Sequence, residues 1–197
     1  ALTFAPGYWL GSPQVPSPLA QSGLIGFHQH IIELQRSVLE SHPYQSVWAQ
    51  WVLNARGIWY LYEFADGAQR GVLLIGNPLS VLAGLPALLW CGWTGAVRKD
   101  WGRLGVVIGY AVALGFWMIA PKPIQFYYHY ITPSLFLFAA LALALSDLVG
   151  HPRARWLGWS VLASSVGLFA YFFPILSAGA LYGEYSFQDY AWIEGWR

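Results

Sequence analysis

Charged side chains are scarce in this sequence: Asp, Glu, Lys and Arg make up 10% of its 197 residues, whereas a soluble domain has about 25%. Hydrophobic residues make up 57%, and the polar ones crowd into the first third, the short loops and the tail. This excludes an ordinary soluble domain and is typical of a polytopic membrane protein. The net charge is only +1 and no basic stripe is present, so we expect no nucleic-acid partner.

Cysteine is nearly absent as well: Cys91 stands alone, so no intrachain disulfide can form. The sequence also lacks a Walker loop, a nucleophile elbow, a paired carboxylate motif and metal-ligand spacing. We therefore expect no cofactor and no metal ion. The sequence shows neither an initial Met nor a signal-peptide pattern, and we expect it to be the later part of a longer polypeptide.

Four long apolar runs separate the polar segments. They predict an all-α fold class: a polytopic membrane protein with about four transmembrane helices and an extracytoplasmic amphipathic helix. In the first run, Asn77 is suited to cap a helix that begins at Pro78. A helix from there to Trp93 would reach only ~24 Å, so either residues 72–75 also enter the membrane or this helix is short. The predicted transmembrane helices cover residues 72–93, 104–120, 131–149 and 156–181.

A more polar segment before these runs predicts an amphipathic helix over residues 23–41. Ser22 is suited to cap it, apolar residues recur at steps of three and four, and His42-Pro43 ends it. The segment is too polar to span a bilayer. It lies either on the membrane surface or against the rest of the protein as an ordinary amphipathic core helix, and the sequence leaves both open.

The distribution of Lys and Arg predicts the orientation. Three basic residues lie between the first two apolar runs, at 98–103, and two lie between the last two, at 153–155, whereas the middle connection has only Lys122. Positive loops stay in the cytoplasm, so we expect a plasma-membrane protein whose functional face is extracytoplasmic. The predicted domains are an extracytoplasmic or interfacial segment over 1–71, a four-helix transmembrane region over 72–182 and an extracytoplasmic aromatic tail over 183–197.

The aromatic-rich stretch over residues 42–70 mixes Trp and Tyr with charged side chains. Trp and Tyr collect at a membrane boundary, and charges at that depth are costly unless they are paired or used. We interpret the stretch as one wall of a site for an amphiphilic ligand. Arg56 and Arg70 each either bind an anionic group or pair with a carboxylate. Glu63 and Asp66 are the acids that the stretch offers, and Glu63 is a weak candidate for a catalytic base that is otherwise unassigned.

The connection over residues 121–133 places a cation and an imidazole among tyrosines just before a membrane helix. Such a group is suited to hold a phosphate or a sugar phosphate at the helix N-terminus. For Lys122, a snorkelling position in the boundary belt is the favoured interpretation. His129 is favoured as functional, because an imidazole among rings at the membrane edge needs a partner. Asn77 is favoured as a helix cap rather than a ligand.

Three motifs occur in order along the chain. They are HPYQSVWAQWVLNARGIWYLYE, then LIGNP at the head of an apolar run, then FYYHYITPSLFLF. Together they resemble the C-terminal membrane region of the protein O-mannosyltransferases, which are dolichyl- or polyprenyl-phosphate-mannose–protein mannosyltransferases with a GT-C fold. The resemblance runs from about His28 to the aromatic tail. Without a large soluble insertion before the stretch at Ser41, the sequence is more similar to bacterial members than to eukaryotic ones.

The resemblance implies an enzyme that moves mannose from a polyprenyl-phosphate donor to Ser or Thr hydroxyls of translocated polypeptides, with inversion. It implies that an acidic residue acts as the base and that cationic groups stabilise the departing lipid phosphate. Membrane lipid is a further expected partner. The acidic pair of the family lies in an N-terminal half that this sequence does not contain, so that half is an expected partner and the chain alone is expected to be inactive. By position and chemistry, we place Arg56, Tyr128 and His129 near the donor phosphate, and Trp59, Tyr60 and Asn77 in the walls of the site.

Two other functions stay open at this point. One is a non-catalytic membrane subunit that docks on a partner through its aromatic face. The other is a GT-C enzyme that uses a different lipid-linked sugar. A transporter is disfavoured, because the runs at 72–93 and 104–120 hold no charge that would line a pathway.

Overall fold

The computed structural model of the chain describes residues 18–183 and 185–197. These residues fall into two compact units. The first unit contains residues 18–42 and 120–124, and the second contains residues 43–119 and the described part of 125–197.

The first unit contains helix α1, Pro18–Ser37. Gly23 interrupts its helical geometry with φ 66° and ψ 173°, a conformation that glycine adopts far more readily than other residues. The regular part therefore begins close to the start predicted from the sequence, but it ends at Ser37 rather than at residue 41. Ser37 Oγ donates to the Leu34 carbonyl oxygen at 2.9 Å in the last turn.

The second unit begins with a short helix and a hairpin and continues with four long helices. The short helix is α2 (Trp48–Val52), and the hairpin strands are β1 (Ile58–Ala65) and β2 (Ala68–Leu74). The long helices are α3 (Pro78–Arg98), α4 (Trp101–Ile119), α5 (Ile131–Gly150) and α6 (Arg155–Leu176). Short 3-10 helices occur at Tyr127–Tyr130, Ser186–Tyr190 and Glu194–Trp196.

Four of the described helices are long and apolar enough to cross a membrane, which confirms the predicted fold class. Helix α3 begins at Pro78 and not at residue 72, because residues 72–74 belong to β2. It also continues past Trp93 to Arg98, so its 21 residues reach ~31 Å and span a hydrocarbon core unaided. Helix α6 ends at Leu176, before the predicted end at residue 181.

Helix α5 is central to the bundle and packs against α3, α4 and α6. Its Leu137 and Ala140 are fully buried. A small residue allows the close approach of α3: a Cβ on Gly84 would lie 2.6 Å from Leu137 Cγ. Close contacts of this kind stabilise helix pairs where lipid and protein are equally apolar.

The hairpin has a two-residue turn. Asp66 and Gly67 both have positive φ, 52° and 74°, which is the geometry of the type I′ turn that Asp-Gly favours. Strand β2 packs on α6 and buries Leu73 to 1% exposure, so the hairpin is attached to the bundle. The patterns considered above did not predict these two strands, which lie within and just beyond the aromatic-rich stretch.

A polar cluster closes one end of the bundle, where α3 and α5 end and α4 and α6 begin. Arg103 forms a two-pronged ion pair with Asp147, with Nη1–Oδ2 and Nη2–Oδ1 distances of 2.8 and 2.7 Å. Trp90 Nε1 donates to Asp147 Oδ2 at 2.7 Å, and Arg103 also reaches Thr94 Oγ1 at 3.3 Å. Three helices are thereby joined through one carboxylate.

We expect Arg103→Gln to lower the free energy of unfolding by about 2–3 kcal/mol, because it leaves a half-buried carboxylate without its cation. The measurement is thermal unfolding in detergent micelles. Arg98→Gln is the matched control, since Arg98 is exposed at the same end of the bundle. Equal losses in the two variants would contradict a specific role for the ion pair.

Candidate functional site

Several segments meet at the opposite end of the bundle, where α3 and α5 begin and α4 and α6 end. They are the chain before α3 from residue 43 on, the turn Tyr127–Tyr130, and the tail after Leu176. The Arg-bearing turns lie at the other end. The structure therefore groups on one side the segments in which all the predicted site residues lie.

Asn54 joins these segments. Its side chain is 3% exposed; Nδ2 donates to the Gly76 carbonyl oxygen at 2.8 Å, and Oδ1 accepts from Gly76 N at 3.0 Å. The same Oδ1 accepts from the Tyr127 hydroxyl at 2.8 Å. The Asn54 carbonyl accepts from Trp196 Nε1 at 2.8 Å. Its φ of 54° is one that asparagine tolerates better than most residues.

Trp59, a predicted wall residue, is held by the tail. Its Nε1 donates to the Trp196 carbonyl oxygen at 2.9 Å. Its ring makes edge contacts with Tyr62 and Phe187, at centroid distances of 5.5 and 6.1 Å, and covers Gly71 across the hairpin. The indole is half-buried, so it supports the hairpin more than it offers a surface.

His129 is enclosed by aromatic rings and is 7% exposed. It stacks on Trp51 at a centroid distance of 5.9 Å and meets the edge of Trp117 at 3.9 Å. Nδ1 lies 3.1 Å from Phe126 N and 2.9 Å from its carbonyl oxygen, so either tautomer finds a partner there. The imidazole is thus fixed in the turn, with Tyr128 as its neighbour at 4.4 Å.

Tyr128 and Tyr60 lie at the same end of the bundle although they come from distant parts of the chain. Tyr128 is half-buried and stacks on Phe126 at 5.5 Å, and its phenol is close enough to that of Tyr60 to interact with it electrostatically. Tyr60 is 59% exposed. It is the extra residue at an irregularity in strand pairing between Trp59 and Leu61, and such bulges re-aim side chains.

The two arginines of the aromatic-rich stretch differ in their partners. Arg56 donates from Nη2 to the Pro43 carbonyl oxygen, which is the one bond that the described residues provide for its guanidinium. Arg70 is structural: Nη2 lies 3.6 Å from Asp66 Oδ2, and Nη1 donates to the Ala178 carbonyl oxygen at 2.9 Å. Glu63 is exposed on β1 opposite Arg70.

Asn77 caps α3 as predicted. Its Oδ1 accepts from Ser80 N at 3.1 Å, and Nδ2 donates to the Ser165 carbonyl oxygen in α6 at 2.8 Å. One end of the amide therefore caps α3 and the other joins α3 to α6.

Lys122 belongs to the first unit and is not among the residues that the second unit brings together. Burial lowers the pKa of its ammonium group, because the charged form is disfavoured away from water. For Tyr62 on β1, burial has the opposite effect, because the charged form of a phenol is the deprotonated one. Burial first, and then Tyr185, raise the pKa of its phenol.

No family model matches the chain. It is 28% identical over 186 residues to the polyprenol-phosphate-mannose–protein mannosyltransferase of Mycobacterium tuberculosis, covering 87% of this chain and 35% of that protein. It is 31% identical over 172 residues to the protein of the same name from Mycolicibacterium smegmatis, covering 79% and 33%, and 24% identical over 198 residues to that of Corynebacterium glutamicum, covering 91% and 38%.

Among solved structures, the chain is similar to a chain of the S. cerevisiae protein O-mannosyltransferase Pmt1-Pmt2 complex bound to the sugar donor. The TM-score is 0.71 at 22% identity, over 90% of this chain and 27% of that one. The resemblance noted in the sequence is confirmed, and so is the predicted architecture, part of a GT-C fold. The chain spans about a third of the length of the curated relatives it matches.

We expect Tyr127→Phe to lower the free energy of unfolding by about 1–2 kcal/mol, because it removes one buried hydrogen bond to Asn54. Asn54→Gly removes the same bond and both bonds to Gly76, so its loss is larger, at about 3 kcal/mol. Unfolding in detergent measures both.

Asn54→Ala is the matched variant for the backbone. It removes the same side-chain bonds as Asn54→Gly but also forces alanine into positive φ, which adds about 1 kcal/mol. If alanine is tolerated as well as glycine, the left-handed conformation at residue 54 does not matter to stability.

Proposed function

We propose that this chain is the C-terminal part of a membrane glycosyltransferase that moves mannose from a polyprenyl-phosphate donor to Ser or Thr hydroxyls of polypeptides. The acidic residues that act in catalysis belong to the N-terminal half of the same enzyme. Two lines of evidence support the proposal: relatives named for this activity match over most of this chain, and the fold is similar to part of a donor-bound protein O-mannosyltransferase.

The placement of Tyr60 and Tyr128 at the same end of the bundle is the observation that carries the assignment. These two phenols, from segments 68 residues apart in sequence, lie near enough to interact electrostatically, and Tyr128 lies in the turn that precedes α5. A ring with an apolar face and a hydroxyl tip suits an amphiphilic ligand, here a glycosyl phosphate on an isoprenoid chain. The rigid aromatic cage of His129 fixes the turn that presents Tyr128, so we assign His129 a positioning role beside the donor phosphate.

Arg56 is the cation best placed to receive the phosphate. A guanidinium has five N–H donors, and within the described residues it uses one, on the Pro43 carbonyl oxygen. The remaining donors match the oxygens of a phosphate in a planar, two-pronged arrangement. Trp59 and Asn77 support the walls of the site without binding the donor directly, since their polar atoms already bond to the tail and to α6.

The chemistry follows from these roles. The acceptor hydroxyl attacks the anomeric carbon, the bond from that carbon to the phosphate oxygen breaks with inversion, and the hydroxyl proton passes to a carboxylate. Arg56 stabilises the charge that grows on the departing polyprenyl phosphate. Glu63 is exposed on the hairpin, so it is a weak candidate for the catalytic base. The acidic pair expected in the N-terminal half is the better candidate.

The orientation is part of the proposal. The turns with basic residues at 98–103 and 153–155 share one end of the bundle, and positive ends stay cytoplasmic. The hairpin, the Tyr127–Tyr130 turn and the tail then face the outside of the plasma membrane, where a translocated polypeptide is accessible.

We expect Arg56→Ala, in the full-length enzyme, to lower mannose transfer to a Ser/Thr peptide by about 100-fold, because the leaving phosphate loses its cation. Arg56→Lys keeps the positive charge but lacks the planar pair of N–H donors, so we expect it to recover only part of the wild-type rate. Radiolabelled mannose transfer in membranes is the measurement. Arg98→Gln, at the other end of the bundle, keeps the wild-type rate; wild-type rates in both Arg56 variants would reject the phosphate assignment.

We expect Tyr128→Ala to raise the KM for the donor about tenfold, whereas Tyr128→Phe, which keeps the ring, changes it by less than about threefold. His129→Ala should lower kcat as well, since the turn loses the ring packed between Trp51 and Trp117. A donor KM that is unchanged in Tyr128→Ala would show that Tyr128 is not part of the donor site.

A further inference from the structure

The outer edge of β1 is an open strand edge. Within residues 18–183 and 185–197, the backbone from Tyr60 to Ala65 forms its ladder with β2 and no bonds to another backbone segment on its other side. Strand β2 differs, because Gln69 pairs with Leu181 through bonds of 2.9 and 3.0 Å. The β2 edge of this small sheet is therefore already extended by a strand-like segment, whereas the β1 edge has room for an added strand.

The turn determines which groups point outward from β1. Ala65 and Ala68 flank a two-residue turn and form a hydrogen-bonded pair, so the next pair, Phe64 with Gln69, directs its backbone groups away from the hairpin. The outward bonds from Gln69 to Leu181 agree with this parity. By the same alternation, Tyr62 also presents its N–H and C=O along the outer edge.

Three aromatic side chains form a partly exposed row along this strand. Tyr60, Tyr62 and Phe64 are 59%, 49% and 74% exposed, and the Tyr62 ring also contacts Phe187 of the tail at a centroid distance of 4.9 Å. The row runs from the Asp66-Gly67 turn to Tyr60, which lies near enough to Tyr128 for the two phenols to interact electrostatically. An extended segment laid along β1 would therefore lead from the hairpin tip directly to the proposed donor site.

We infer that the acceptor polypeptide binds by adding a strand to the outer edge of β1, with its Ser or Thr brought to the Tyr60–Tyr128 end. This inference rests on the proposed function and assigns the acceptor its binding surface. Backbone bonds at Tyr62 and Phe64 give affinity without demanding a sequence, and the aromatic row selects side chains at alternate positions.

A polypeptide fits this edge better than a lipid surface does. Exposed rings alone would suit a bilayer boundary, but unpaired N–H and C=O groups are costly in hydrocarbon. A peptide in β conformation supplies the partners that those groups lack. The relatives are named for transfer to protein, and a polypeptide segment bound in extended form has backbone groups of its own that need partners.

The test uses acceptor peptides that are N-methylated, with the full-length enzyme in membranes. One series carries N-methyl groups two residues on either side of a central Thr, and the other carries them three residues on either side. Only one parity faces the β1 edge, so we expect one series to raise the peptide KM about tenfold with kcat unchanged, while the other stays within about twofold. Equal effects in both series, or none in either, would overturn strand addition.

Variants of the enzyme give a second readout. Phe64→Pro removes an outward N–H at an edge position, where proline is tolerated, and Phe64→Ala is the control for loss of the ring. We expect the proline variant to raise the peptide KM about tenfold above the alanine variant, with the donor KM the same in both. Hydrogen exchange of the Tyr62 and Phe64 amides should be fast without peptide and slow with it; slow exchange in the peptide-free enzyme would mean that another part of the enzyme already covers the edge, and would sink the inference.

The two proposals fail in different ways. Transfer to the unmodified peptide with no parity effect overturns the strand-addition inference and leaves the mannosyltransferase proposal standing. No transfer to any peptide, from an enzyme that is folded and supplied with polyprenyl-phosphate mannose, overturns the proposed function and the inference with it.

Discussion

Four hydrogen bonds from Asn54 to distant segments are the constraint on which the rest of this end of the molecule depends. Through one residue, the chain before β1 is bonded to Gly76 before α3, to Tyr127 in the turn before α5, and to Trp196 in the tail. The bonds to Tyr127 and Trp196 are buried and those to Gly76 are partly buried, and an unpaired polar group away from water is costly. The positions of the hairpin, the turn and the tail are therefore coupled, and with them those of Tyr60 and Tyr128.

Tryptophan also contributes to this coupling through hydrogen bonds, which is a different role from its preference for the membrane-water boundary. Four indole N–H groups bond across segments: Trp51 to Ser46, Trp59 to the Trp196 carbonyl, Trp196 to that of Asn54, and Trp90 to Asp147. The rings of Trp51 and Trp196 also fill volume in a core. The high Trp content thus joins the two ends of the bundle to the segments that cover them, besides suiting a membrane surface.

The bundle could be predicted from the sequence and much of the candidate site could not, for physical reasons. Long apolar runs and charged turns locate α3–α6 to within a few residues. Strand β2 was missed because its last three residues, 72–74, are all apolar and extend the first run without a visible break. The alternation in β1 is obscured by aromatic side chains on both faces, although Asp66-Gly67 is a recognisable turn signal. The role of Asn54 had no local signal, since its partners lie 22 to 142 residues away.

The turn at Asp66-Gly67 also limits how this region can change through evolution. Strand side chains alternate between faces, so inserting or deleting one residue at the tip would shift the pairing of β1 with β2 and exchange their inner and outer rows. Tyr62 and Phe64, which share a face with Trp59 and Leu73, would then be turned to the other face. Even-numbered changes in length preserve the alternation, and homologues are expected to keep this loop constant in length, with residues that tolerate positive φ at both positions.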